Sequence, residues 1–133
     1  IDVGADATVP LASWLELCGE WYSGDGMRAL GGGAIGQLFD TKNQPIHSTG
    51  LWAQANLKPS TRVTIGGGIG LDDPDDASLA ASARLKHRVT EAHLHLLPGG
   101  PLLVGLEWRR IETTYVAGPV VNDHLNLAVG FRF

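Results

Sequence analysis

The sequence predicts an all-β chain of about seven antiparallel strands in up-and-down order, and three observations predict it. Apolar and polar residues alternate with a period of two in segment after segment, as they do in strands with one greasy and one polar face. Proline and glycine punctuate these segments where a chain turns. Glycine is abundant, with 18 in 133 residues. Many lie inside strand-like segments, which suits a curved sheet better than a helical domain.

Taken in order, Ile1, Val3, Ala5, Ala7 and Val9 alternate with Asp2, Gly4, Asp6 and Thr8. Pro10 is expected to end this strand because it has no N–H for a ladder. Leu15, Leu17, Gly19 and Trp21 then oppose Trp14, Glu16, Cys18, Glu20 and Tyr22. Two carboxylates and a thiol on one face are hard to bury in a dry core. A long glycine-rich interruption follows over 23–49. Its Gly31-x-Gly33-x-x-Gly36 has the spacing of a dinucleotide fingerprint. Pro45 cuts off the long helix which that motif needs, and no acid stands about 20 residues further on. The segment reads as a loop, too apolar at Met27, Leu30, Ile35, Leu38 and Phe39 to be freely solvated. It is expected to fold inward as a constriction with a short helix.

Leu51, Ala53, Ala55 and Leu57 oppose Trp52, Gln54, Asn56 and Lys58, and Lys58-Pro59-Ser60-Thr61 marks a tight turn. Val63, Ile65, Gly67, Ile69 and Leu71 oppose Arg62, Thr64, Gly66, Gly68 and Gly70. The acidic run Asp72-Asp73-Pro74-Asp75-Asp76 is expected to be a solvated loop; it lacks the glycine and closing glutamate of an EF-hand. From Arg84 to Leu97, Glu91, His93 and His95 alternate with Ala92, Leu94 and Leu96, yet Arg84, Lys86 and Arg88 share the apolar parity. Either a bulge near Val89-Thr90 shifts the register, or the strand rises beyond the apolar band. After the turn Pro98-Gly99-Gly100-Pro101, Leu102, Val104, Leu106 and Trp108 oppose Leu103, Gly105, Glu107 and Arg109, and the strand continues to about Tyr115. Residues 116–123 read as a connection. In the closing strand, 123–133, Leu125, Leu127, Val129, Phe131 and Phe133 oppose His124, Asn126, Ala128, Gly130 and Arg132.

Bulk properties narrow the function classes. The net charge of −4 and a pI of 5.6 offer no basic surface for nucleic acid. Cys18 is alone, so no intrachain disulfide forms. No apolar run reaches the roughly 18 residues of a transmembrane helix, which leaves a membrane barrel open because its strands alternate. The chain begins at Ile1 inside a strand-like pattern; for an exported protein, processing or missing upstream residues are expected.

The expected connections alternate in length. Short ones fall near Pro10, Pro59 and Gly99, and longer ones over 23–49, 72–83 and 116–123. Antiparallel hairpins place alternate connections at opposite ends of a sheet. Short turns at one end and long loops at the other is the pattern of transmembrane β-barrels, and the chain ends on the short-turn side.

The closing strand, with its terminal Phe133, resembles the last strand of bacterial outer-membrane barrels. Gly19-Glu-Trp-Tyr22, Gly32-Gly-Ala-Ile-Gly-Gln37, Gly50-Leu-Trp-Ala53, Leu57-Lys-Pro-Ser60, Asp72-Asp-Pro-Asp75 and Gly105-Leu-Glu-Trp108 are similar to the C-terminal part of outer-membrane porins. The resemblance covers most of the chain and brings no catalytic motif and no cofactor. It implies an antiparallel up-and-down transmembrane β-barrel in the bacterial outer membrane, passing small solutes by passive diffusion. The partners it implies are outer-membrane lipid, lipopolysaccharide and the barrel-assembly machinery, which would read Phe133 as an insertion signal. Bacterial single-chain barrels have an even number of strands. Seven strands over residues 1–133 therefore imply one segment of a larger barrel, completed by upstream strands or a homo-oligomer, unless one strand lies hidden in the long loop.

In such a barrel Leu125, Leu127, Val129, Phe131 and Phe133 face lipid, and Trp21, Trp108, Phe131 and Phe133 contribute to aromatic girdles. Arg84, Lys86 and Arg88 either meet lipopolysaccharide phosphates or form a solvated strand end. The pore-lining positions are Glu16, Glu20, Gln54, Asn56, Arg62, Glu91, His93, His95, Glu107, Arg109, Asn126 and Arg132. Charges of both signs on one interior face suit either a wet channel or a structural barrel plugged by ion pairs. Glu91, His93 and His95 carry donors suited to Zn²⁺ or Cu²⁺, but a closed site needs another ligand, such as Glu107, and solvated histidines without metal are expected. No enzyme is expected, since Ser13, Ser48 and Ser60 have no evident catalytic partners. The rival from another class is a soluble β-barrel or sandwich binding module whose apolar face forms an interior core. Small residues on that face, Ala5, Ala7, Ala53, Ala55 and Gly67, permit such packing.

Overall fold

The computed structural model describes residues 1–27 and 37–131. Seven strands are built in chain order: β1 (Val3–Ala12), β2 (Leu15–Asp25), β3 (His47–Ser60), β4 (Val63–Pro74), β5 (Arg84–Gly99), β6 (Leu102–Tyr115) and β7 (Gly118–Phe131). Each pairs antiparallel with the next, giving one sheet in the order β1-β2-β3-β4-β5-β6-β7. Among the described residues the sheet does not close: β1 and β7 are both edges. All-β, antiparallel and up-and-down are therefore properties of the molecule.

Several strand ends differ from expectation, for physical reasons. Pro10 lies inside β1, level with Glu16 of β2, rather than at its end. An edge strand tolerates a residue that cannot donate outward. The strands also consume part of the expected long loop, since β2 runs to Asp25 and β3 starts at His47. Three of the five residues of the acidic run are strand, because β4 extends to Pro74. There Asp72 accepts hydrogen bonds from the hydroxyls of Tyr22 (2.9 Å) and Ser48 (2.6 Å), which replace the water that a loop would have supplied. Only the following residues leave the sheet, with Asp75 capping a short 3-10 turn at Asp76–Ser78.

The largest correction concerns the connection placed at 116–123. It is a tight turn of Val116 and Ala117 only, and the last strand begins at Gly118, whose φ of 119° lies where side chains are disfavoured. Pro119 pairs with Thr114 on the open edge, where its missing donor costs no ladder bond. Long loops at one end are thus two, 26–46 and 75–83, joined there by one tight turn. At the other end the turns are Ser13-Trp14, Thr61-Arg62 and Gly100-Pro101.

Strand β5 has no register shift near Val89-Thr90; its pairing with β4 is continuous from Leu96 to His87. Lys86 and Arg88 rise beyond the apolar residues, with Lys86 Nζ 2.7 Å from Asp73, and the register shift of β5 lies further up, between Arg84 and Lys86. The expected inward constriction and its helix fall on 28–36, outside the described residues, as do Arg132 and Phe133. At the root of that loop Gly26 N–H donates to the Ile46 carbonyl (2.9 Å), and Met27 and Ile46 are buried with Ala83. Among the described residues these three are the whole buried hydrophobic set.

Candidate functional site

The strand registers assemble the polar face into rows. One row reads Glu16, Asn56, Gly66, His93, Glu107 and Asn126 across β2 to β7. The next reads Cys18, Gln54, Gly68, Glu91, Arg109 and His124. Above it stand Glu20, Trp52, Gly70 and Val89. The sheet is a single layer, yet His93 and Asn56 are buried while most large side chains of the opposite face are exposed. That asymmetry follows if the sheet curls toward its polar face.

Glycine permits this enclosure. A Cβ at Gly66 would overlap the His93 ring and the Asn56 amide, and one at Gly50 would overlap the Tyr22 ring. Strand β4 thus leaves a trough into which side chains of β3 and β5 lean. Beside it is a depression of about 400 Å³ lined by Trp52, Gln54, Glu91 and Arg109 among others.

The polar side chains are paired rather than loose. Lys58 Nζ lies 2.8 Å from Glu16, whose other oxygen accepts from Asn56 (3.3 Å); Gln54 donates to Asn56 (2.8 Å). The Trp52 indole N–H donates to Glu20 (3.1 Å). Across the trough, Arg109 lies 3.0 Å from Glu107 and 4.0 Å from Glu91, and Asn126 donates to Glu107 (3.0 Å). His93 Nδ1 is 3.5 Å from Glu91, and its ring stacks on His95 with centroids 4.8 Å apart. The carboxylates are therefore divided between Lys58 on one wall and Arg109 on the other.

The structure thus brings together Glu16, Glu20, Gln54, Asn56, Glu91, His93, His95, Glu107, Arg109 and Asn126 on one face. Arg62 departs: it sits in the turn joining β3 and β4, at the rim rather than on the wall. The histidines expected to be solvated are not alike, since the His93 side chain is only 7% exposed. Among the described residues no group of three or more His, Cys, Asp or Glu is arranged to hold a metal ion. Tyr22, Ser48 and Asp72 form a further polar cluster at the long-loop end that sequence reasoning missed. The face parity of Tyr22 is visible in the sequence, but its partner Asp72 stands in an acidic run that reads as a loop.

The apolar face carries a band that is four positions deep on β2 and on β6. On β2 it comprises Leu15, Leu17, Gly19 and Trp21, and then Ser23 and Asp25 follow. On β6 it comprises Leu102, Val104, Leu106 and Trp108, and then Arg110 and Glu112 follow. The registers set Trp21 level with Leu51, Leu71, Arg88 and Glu112. The upper limit thus moves from the level of Glu112 down to Trp108, four residues along β6. The lower limit moves in parallel, from Leu15 and Leu57, level with Leu106, to Leu102 and Phe131. Four residues are about 13 Å along a strand and four strand spacings about 19 Å across, so from β2 to β6 the band descends at a mean angle of about 35° to the hydrogen-bond rows, with its upper limit level from Trp21 to Leu71 and stepping down to Ala92 on β5. Leu125, Leu127, Val129 and Phe131 share this face and are 63–73% exposed. Trp21 and Trp108 both sit at the band's upper limit, although Trp108 is midway along its strand.

Comparison with known protein families, curated proteins and solved structures gave no match.

Proposed function

We propose that this chain is a segment of a bacterial outer-membrane β-barrel that acts as a porin-like channel for passive diffusion of small solutes. The observation that carries the proposal is the oblique apolar band. Strands crossing a bilayer in a closed barrel tilt by about 35–45°, so a lipid-matched band must run obliquely across the hydrogen-bond rows, as it does at about 35°. All seven strands have 10–16 residues, against the roughly 9–11 needed to span. The bare apolar face supports the same conclusion, since a soluble module would have to cover it and the described residues form one layer.

In the bilayer every backbone donor and acceptor must be paired, so the open edges of β1 and β7 require further strands. Upstream strands of the same chain or a second copy would supply them. Leu125, Leu127, Val129, Phe131 and Phe133 then meet lipid, and Phe133 is the signal that the assembly machinery reads. Trp21 and Trp108 lie where the hydrocarbon gives way to headgroups. Lys86 and Arg88, beyond the band, face the phosphates of lipopolysaccharide.

The inward face lines the path. Glu16, Glu20, Gln54, Asn56, Glu91, His93, His95, Glu107, Arg109 and Asn126 form its wall, with Arg62 at the mouth; Arg132 joins them by sequence parity alone. Solutes pass by exchanging water for these fixed charges and amides, without a tight site. Purified protein that needs detergent for solubility and migrates faster on gels before heating than after supports a membrane barrel. Protein that is monodisperse without detergent overturns it. Ion conductance in planar bilayers then separates a channel from a plugged barrel.

A further inference from the structure

Outside the polar wall, one cluster on the apolar side has the geometry of a nucleophile, a base and an orienting group. We propose that Ser23, His47 and Asp25 form a hydrolytic site for acyl esters at the upper limit of the apolar band.

The register pairs Ser23 with Thr49 and Asp25 with His47. Alternate residues of a strand share a face, so all four project on the side of Trp21 and Leu51, the next pair below. His47 Nδ1 lies 2.9 Å from Asp25 Oδ1, and His47 Nε2 lies 3.1 Å from Ser23 Oγ. An ionised carboxylate only accepts, so Nδ1 carries the proton and Nε2 is left to accept from the Ser23 hydroxyl. Thr49 Oγ1, 3.0 Å from Ser23 Oγ, must then be the donor in that contact. The chain of roles is complete: Asp25 fixes the tautomer, His47 is the base and Ser23 is the nucleophile. Thr49 offers a hydroxyl donor beside the reacting centre.

The backbone holds this set firmly. Asp25 N–H donates to Asp2 Oδ1 (2.8 Å), and Asp75 N–H donates to the His47 carbonyl (2.9 Å). The His47 and Asp25 side chains are about half exposed, 49% and 51%, so a substrate can reach them. Trp21 and Leu51, both exposed, stand about 7 Å below along their strands and offer an apolar seat for an acyl chain.

The reaction balances within these groups and one water. Ser23 Oγ bonds to the ester carbonyl carbon as its proton passes to His47 Nε2. The tetrahedral adduct expels the alcohol, which takes that proton. Water then attacks the acyl-serine, gives a proton to Nε2, and releases the carboxylic acid as Ser23 recovers its hydrogen. That the ester belongs to a membrane lipid rests on the outer-membrane proposal; the triad does not.

The test treats detergent-purified protein with a fluorophosphonate probe, locates the adduct by mass spectrometry, and records heat-modifiable mobility on the same sample. Hydrolysis is followed on p-nitrophenyl butyrate and as fatty-acid release from phosphatidylethanolamine vesicles. The expected result is an adduct on Ser23, absent in Ser23→Ala, with hydrolysis falling about 10²-fold or more in His47→Gln. Asp25→Asn lowers it as well, and Ser60→Ala leaves it unchanged. Heat-modifiable protein that carries no adduct on Ser23, or that labels equally in His47→Gln, overturns the site. An adduct on Ser23 in protein lacking heat-modifiable mobility keeps the site and overturns the lipid as its substrate. Cleavage of the butyrate without fatty-acid release does the same.

Discussion

The His93 imidazole occupies the space that a side chain at Gly66 would need. The two residues are directly paired across β4 and β5, and Asn56 approaches the same space from β3. One absent side chain therefore lets two polar groups from neighbouring strands pack inward.

Replacing Gly66 by Val should destabilise the folded protein by about 1–3 kcal/mol, the usual cost of overpacking. Urea titration in detergent, followed by gel mobility, checks this. Gly130→Ala is the contrast, since a Cβ there meets nothing within 4 Å; a shift within about 0.5 kcal/mol is expected. Equal effects at the two positions would show that the trough is not tightly filled.

Arg109 is the cation between Glu91 and Glu107. Arg109→Glu should move the reversal potential of planar-bilayer currents toward cation preference. Arg62→Glu, at the rim, should move it less. Unchanged reversal potentials would mean that neither residue borders a conducting path.

Neighbouring residues of β7 should respond oppositely to the same substitution. Leu127 lies within the apolar band, so Leu127→Arg should cost about 2–4 kcal/mol if it stands near the bilayer midplane. Asn126, on the polar face beside Glu107, should accept Arg with a change of about 1 kcal/mol or less. The fraction of heat-modifiable protein after refolding into lipid reports both.

Tyr22→Phe removes the hydroxyl that donates to Asp72 (2.9 Å). A hydrogen bond to a charged group contributes about 1.5–3 kcal/mol, so a loss of that order is expected in the same urea titration. Ser48 still donates to Asp72, which should hold the loss to the lower part of that range.

What the sequence made legible was facing, and what it hid was pairing. A period of two assigns Leu125, Leu127, Val129 and Phe131 to one side whatever their partners, and the registers agree. Strand ends are hidden in the sequence wherever a turn-forming residue stands in a strand: Pro10 and Pro119 on edges, and Asp72 under two hydroxyls. The band's slope could not be read because it depends on cross-strand register, which a single strand does not carry. Ser23 and His47 read as loop residues for the same reason, so their contact is not visible in the sequence. Arg62 had the parity of the wall but sits in a turn, where parity no longer sets direction.

The most direct measurement uses three of the four tryptophans as depth markers. In single-Trp proteins refolded into vesicles, lipids brominated on their acyl chains should quench Trp21 and Trp108, which both stand at the band's upper limit on the apolar face. Trp52, on the polar face against Glu20, should be spared by the bromines and quenched by acrylamide from the aqueous side. If the bromines quench Trp52 as strongly as Trp21 and Trp108, or leave all three untouched, the apolar face does not meet lipid and the outer-membrane account is wrong.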